Sequence, residues 1–197
     1  MSLVIGLTGP TGAGKSSVTS VAKQMGFKVI DCDKLSRSAT KKNSDGLAAL
    51  VKVFGSEILD ADGSLNRAAL AEAAFVSKEK TELLNKTILP YIVKLIKSEI
   101  NAPLVLLDAP TLFESGADSM CRTTIAVLCD IGIRKERIMK RDGIDSESAD
   151  LRIKAGKPDE FYLQRAQNII YNNGDLSAFE SEAVNILKNI TEEYKNV

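Results

Sequence analysis

The chain has 197 residues, 44% of them hydrophobic, and its 26 basic residues balance 26 acidic ones to leave no formal net charge. That length sustains a sizeable core in a single domain, and the charge balance supplies no global field for nucleic acid or an anionic membrane. No apolar run approaches the ~20 residues of a bilayer span and no basic leader precedes the first strand-like segment, so a cytoplasmic protein without membrane or nucleic-acid partners is expected.

Leu3 to Thr8 is an apolar, strand-like run. It turns through Gly9-Pro-Thr-Gly-Ala-Gly-Lys-Ser16, the Gly-x-x-x-x-Gly-Lys-Ser spacing of a phosphate-binding loop. Gly9, Gly12 and Gly14 let the backbone curl until successive N–H groups converge on an anion, and the helix that follows adds its positive end. Lys15 then reaches β- and γ-phosphates and the Ser16 hydroxyl reaches Mg²⁺. Val18, Val21, Ala22 and Met25 recur at helical spacing behind the loop, completing a strand–loop–helix unit.

Phe27 to Asp31 predicts a second strand, with a helix from Asp33. From Asn43 to Asn101 the pattern is helical, interrupted by the turn Asp60-Ala-Asp-Gly63 and by Pro90, and no strand is expected there. Leu83, Leu84, Ile88, Ile92, Leu95 and Ile96 form a core face within it. Strands return at Leu104–Asp108 and Thr124–Cys129, followed by a basic helix over Ile133–Arg141 and another over Asp145–Lys154. Gln167–Tyr171 predicts a last strand, Asn172-Asn173-Gly174 a turn, and Phe179, Ala183, Ile186, Leu187, Ile190 and Tyr194 the apolar face of a closing helix. Alternating strands and helices predict an α/β fold with a doubly wound parallel sheet of about five strands, its ligand crevice at the strand carboxyl ends.

The chain contains no histidine, which removes Ser-His-Asp and Cys-His catalysis and leaves carboxylates as general bases. Cys32, Cys121 and Cys129 have neither disulfide nor zinc spacing and are expected as reduced thiols. Asp31, Asp33 and Asp108 each close or follow a predicted strand. Asp33 is the candidate for the acceptor hydroxyl, with a helix N-cap as its structural alternative; Asp108 is either a magnesium-linked carboxylate or a strand-end turn residue. Arg134, Arg137 and Arg141 share a helix face, fit for clamping phosphates or for facing solvent.

With these elements in place, the chain resembles the dephospho-coenzyme A kinase family of P-loop kinases over nearly its whole length. The resemblance is carried by Gly6–Ser16, Val29-Ile-Asp-Cys-Asp33, the long segment Phe54–Leu70, Leu107-Asp-Ala-Pro-Thr-Leu-Phe-Glu114 and Arg137-Ile-Met-Lys-Arg-Asp142, in order. It implies Mg²⁺- and ATP-dependent phosphorylation of the ribose 3′-hydroxyl of dephospho-coenzyme A, the last step of coenzyme A synthesis, by a single kinase domain, most simply a monomer. A helical substrate-binding insertion over 43–101 and a lid over 134–157 are implied with it. Thr11, Gly12, Ala13, Gly14, Lys15, Ser16 and Ser17 would hold the nucleotide, and Ser16 and Asp108 the metal. Asp31, Asp33, Arg67, Asp108 and Arg137 would contact substrate, and Lys15, Asp33 and Arg141 would carry the transfer. The chain departs from the family pattern at Leu89-Pro90, where His-Pro is usual, at the lid segment Ile153-Lys-Ala-Gly-Lys157, and at Ala166-Gln167 in place of Ala-Asp. Three other readings remain: a P-loop kinase for another small acceptor such as a nucleoside monophosphate, a nucleotide-binding regulatory protein without transfer, and a GTPase-type switch. The last needs an Asn-Lys-x-Asp segment, and Asn85-Lys-Thr-Ile88 lacks its aspartate.

Overall fold

The structure, a computed structural model, describes residues 2–195. Five strands form one parallel sheet: β1 (Leu3–Thr8), β2 (Lys28–Asp31), β3 (Leu104–Asp108), β4 (Thr123–Leu128) and β5 (Asn168–Tyr171), in the order β2-β3-β1-β4-β5. β1 is the central strand, set against β3 with Leu7 opposite Asp108 and against β4 with Thr8 opposite Ala126. All six of its residues are buried, as a parallel strand covered on both faces requires.

Two helices supply one of those covers. α1 (Lys15–Gln24) contributes Val18, Val21 and Ala22, and α9 (Leu176–Lys195) contributes Phe179, Ala183, Leu187 and Ile190 to a core shared with Leu3, Ile5, Leu7, Leu106, Ile125 and Val127. The expected face of the closing helix is thus the one packed inward. At roughly 1.5–3 kcal/mol for each fully buried aliphatic side chain, this cluster dominates the sheet's stability.

The chain divides into two compact units, Asp31–Ile100 and the residues on either side of it. The unit Asp31–Ile100 is helical: α2 (Cys32–Ala39), α3 (Asp45–Phe54), α4 (Arg67–Ala74) and α5 (Lys78–Glu99). Each begins on a side-chain cap, with Asp31, Ser44, Asn66 and Ser77 accepting from the N–H of Lys34, Leu47, Ala69 and Lys80. Leu50, Ile58 and Ile88 pack with Leu84, Tyr91, Ile92 and Leu95 in a separate core. The turn at Asp60–Gly63 forms as expected, and it brings Leu59 and Leu65 into a short antiparallel bridge where no extended pairing was expected.

Pro90 corrects the expectation of a break, because α5 runs through it for 22 residues. Pro90 is exposed on the helix surface, while its neighbours Ile88, Tyr91 and Ile92 hold the helix into the core. Tertiary packing thereby overrides the loss of one backbone hydrogen bond. Pro90→Ala is expected to stabilise this unit by about 2 kcal/mol, the ~3 kcal/mol helix penalty of proline less the ~0.4–1 kcal/mol by which it restrains the unfolded chain. Denaturant unfolding of the full chain measures the change, and a loss of stability would show that the ring itself is needed.

The remaining helices, α6 (Ile131–Asp142), α7 (Ser146–Lys154) and α8 (Asp159–Leu163), connect β4 to β5. Gly143 ends α6 at φ 64°, a left-handed cap that glycine adopts without strain.

Candidate phosphate-binding site

β1 delivers the chain into the glycine loop at the carboxyl edge of the sheet, and Gly14 caps α1 at φ 102°. The first glycine is demanded by its neighbour: at Gly9, with φ 140°, a Cβ would lie 2.2 Å from the Val127 carbonyl oxygen of β4. Within the loop the Ala13 N–H donates to the Pro10 carbonyl at 3.3 Å. The Lys15 ammonium folds back across it, donating to the Gly9 carbonyl at 2.7 Å. Ser16 is exposed on the first turn of α1, and Thr11, Gly12 and Ser17 are half-buried around the same curve.

Beneath the loop lies a buried polar layer. Arg134, on α6 and 2% exposed, donates through Nε to the Thr11 carbonyl at 3.1 Å and pairs through Nη1 with Asp159 at 3.3 Å. Asn172, just beyond β5 and 3% exposed, donates through Nδ2 to the Ala13 carbonyl at 2.8 Å. Arg137 fills the space behind it, donating to the Asn172 side-chain and backbone oxygens at 3.3 and 3.2 Å and reaching the Ala13 carbonyl at 3.5 Å. Donors thus hold the Thr11 and Ala13 carbonyls from one side, and across each trans peptide the N–H of Gly12 and of Gly14 points the opposite way.

The charges in this layer show burial competing with ion pairing. Burial pushes the Asp159 carboxyl up, outweighing the lowering effect of Arg134. Burial likewise pushes the Cys129 thiol up, against the opposing effect of Arg137; away from this layer, beside Gly6, burial and the Asp118 charge together push Cys121 up to about 12. These two thiols are therefore neutral near neutral pH and offer no thiolate nucleophile.

The three arginines of α6 do not act as one face. Arg134 and Arg137 reach back under the loop, whereas Arg141 is exposed and paired with Asp142 at 2.8 Å. That bond raises the guanidinium pKa and lowers that of Asp142, which also pairs with Arg152 of α7. Asp108 is half-buried at the end of β3, beside the strand that feeds the loop.

The other predicted residues belong to the unit Asp31–Ile100. Asp31 accepts from the Lys34 N–H at 2.9 Å, so it is Asp31 that caps α2. Asp33 occupies the first helical turn with an exposed side chain, and the capping role left open for it falls away. Arg67 opens α4 and donates to the Thr40 hydroxyl at 3.3 Å. Asn172 and Asp159 were not among the expected site residues. Asn172 was placed in a turn because its Asn-Asn-Gly surroundings carry turn chemistry; only its position directly after a strand pointed to the sheet's carboxyl edge.

A family model for dephospho-CoA kinase matches residues 3–178. A dephospho-CoA kinase of Fusobacterium nucleatum is 36% identical over 177 residues, 88% of this chain and 91% of that protein. Among solved structures, a Thermus thermophilus protein superposes with a TM-score of 0.79 at 30% identity, covering 95% of this chain and 97% of its own. A dephospho-CoA kinase from Campylobacter jejuni gives 0.68 at 25% identity, covering 98% and 100%.

Proposed function

Because the chain belongs to the dephospho-CoA kinase family, we propose that it transfers the γ-phosphoryl group of ATP to the ribose 3′-hydroxyl of dephospho-CoA, giving coenzyme A and ADP. The observation that carries the reading is the loop itself: Lys15 across its mouth, and the Thr11 and Ala13 carbonyls held from below by Arg134 and Asn172. N–H groups aimed outward at the start of a helix form an anion site, and transfer of a metaphosphate-like group depends on such preorganised charge.

In this reading Thr11–Ser17 cradle the triphosphate, and Lys15 exchanges the Gly9 carbonyl for the β- and γ-phosphates. Asp33 accepts the proton of the 3′-hydroxyl as its oxygen bonds to the γ-phosphorus and the β–γ bridge oxygen departs with ADP. Asp31 and Arg67 contact the acceptor. Arg137 backs the phosphate loop, and Arg141 exchanges Asp142 for phosphate oxygens. The helical segment 43–101 provides the acceptor surface and 134–157 the lid that excludes water.

Mg²⁺ fits the donor set. Ser16 offers a hydroxyl and Asp108 a carboxylate, both hard oxygen ligands, and among the described residues there is no cluster of three acidic, histidine or cysteine side chains. A cation that keeps waters and takes phosphate oxygens needs only one or two such groups. When bound, Mg²⁺ neutralises charge developing on the β- and γ-oxygens. Among the described residues no helix is long and apolar enough to cross a membrane; a cytoplasmic location and a monomeric state belong to the same proposal.

An acceptor screen tests the proposal. Protein, Mg²⁺ and ATP are offered dephospho-CoA beside nucleoside monophosphates, with ADP release and product mass as readouts. Coenzyme A is the expected product. Turnover of a nucleoside monophosphate instead would reassign the acceptor, and ATP binding without turnover of any acceptor would make the chain a regulatory nucleotide-binding protein.

A further inference from the structure

We propose that Asn172, backed by Arg137, is a positioning residue for phosphoryl transfer: by holding the Ala13 carbonyl it aims the Gly14 N–H, and with it the first turn of α1, at the nucleotide phosphates. The proposal takes its substrate from the kinase reading and its content from the loop.

The peptide unit between Ala13 and Gly14 is trans, as are all peptide bonds among the described residues, so its N–H points opposite to its C=O. The carbonyl is drawn downward by Asn172 Nδ2 at 2.8 Å, with Arg137 Nη1 at 3.5 Å. The Gly14 N–H is therefore directed away from Asn172. Since Ala13 is fully buried, that carbonyl needs a protein partner, and releasing it would let the peptide rotate.

Asn172 is itself oriented by what surrounds it. Its Oδ1 accepts from Arg137 Nη2 at 3.3 Å, and a guanidinium has only donors, so the amide nitrogen is left to face the Ala13 carbonyl. Its backbone N–H donates to Leu128 at 2.9 Å, and its carbonyl accepts from the Cys129 thiol at 3.0 Å and Arg137 at 3.2 Å. The end of β4, the end of β5 and α6 thus converge on one residue. Gly14 belongs to the same device: a Cβ there would lie 2.1 Å from Asn172 Nδ2. The last glycine of the motif leaves room for the amide as well as supplying its φ of 102°.

A purely structural role would predict loss of stability with every ligand affected alike. Positioning predicts loss confined to the phosphate side. Asn172→Asp keeps the shape and the Arg137 contact but sets oxygen against the Ala13 carbonyl oxygen; Asn172→Ala removes the contact altogether. Asn173→Ala is the control, because Asn173 bonds the Asp130 N–H and carboxylate at 2.8 and 2.9 Å without touching the loop. Calorimetric titration with ATP and with dephospho-CoA, steady-state kinetics and melting temperature are measured on all four proteins. In whichever Asn172 variant retains the wild-type melting transition, ATP affinity and kcat/KM for ATP are expected to fall on the order of tenfold to a hundredfold. Affinity for dephospho-CoA is expected to stay within about twofold, and Asn173→Ala is expected to match wild type on both ligands. ATP affinity within about twofold of wild type would overturn the proposal, as would equal losses for both ligands or the same ATP loss in Asn173→Ala. Wild type that binds ATP but leaves dephospho-CoA unchanged would defeat the kinase reading alone, and the ATP titrations would still decide the role of Asn172.

Discussion

Lys15→Ala is expected to lower phosphoryl transfer by about 10²–10³-fold, the loss typical of removing one preorganised group from developing oxyanion charge. Lys15 is half-buried and its ammonium donates to the Gly9 carbonyl rather than packing in the apolar core. Its removal takes away the hydrogen bond to Gly9 at the loop mouth and leaves the Val18, Val21 and Ala22 face of α1 untouched. Melting temperature should therefore move little while kcat collapses. The acceptor's affinity should be retained, since the charge acts on the donor's phosphates. Kinetics and thermal unfolding on the one variant separate these outcomes: activity near wild type would remove the loop from the chemistry, and an unfolded variant would make Lys15 structural.

What could be read from the residues before the fold was known follows from how local each signal is. The loop was legible because its glycines are constrained by their own backbone and close neighbours, as Gly9 against Val127 and Gly14 against Asn172 show. The strands were legible to within a residue or so, because buried parallel strands are continuous apolar runs: Thr123–Leu128 stands where Thr124–Cys129 was expected. Pro90 was misleading because a local breaker met a helix held by packing. The arginines of α6 were misleading for the opposite reason. Spacing places three side chains on one face, but the direction each long side chain takes depends on its acceptor: the distant Thr11 for Arg134 and Asn172 for Arg137, and the adjacent Asp142 for Arg141. Asn172 itself carried no chemical motif. Its meaning lies in a contact between the two ends of the sequence, which only the sheet order brings together.

Asp33→Asn is the other substitution expected to act strongly, with kcat falling by about a hundredfold or more if the carboxylate takes the acceptor's proton. The exchange preserves size. It also leaves the start of α2 intact, because the cap is Asp31, whose carboxylate accepts the Lys34 N–H. Asp33 is exposed in the first turn, where a negative charge gains modestly from the helix dipole, about 0.3–1 kcal/mol, and that is the whole of its expected contribution to stability. Activity and melting temperature are thus uncoupled at this position, which makes it a clean probe. In a chain without histidine, no imidazole is available to substitute as base. ATP affinity should be unchanged, because Asp33 is assigned to the acceptor and not the nucleotide. Measuring kcat, ATP binding and thermal unfolding on this variant decides its role: turnover near wild type would take Asp33 out of the mechanism and direct the search for the acceptor's proton acceptor to Asp31 or Asp108.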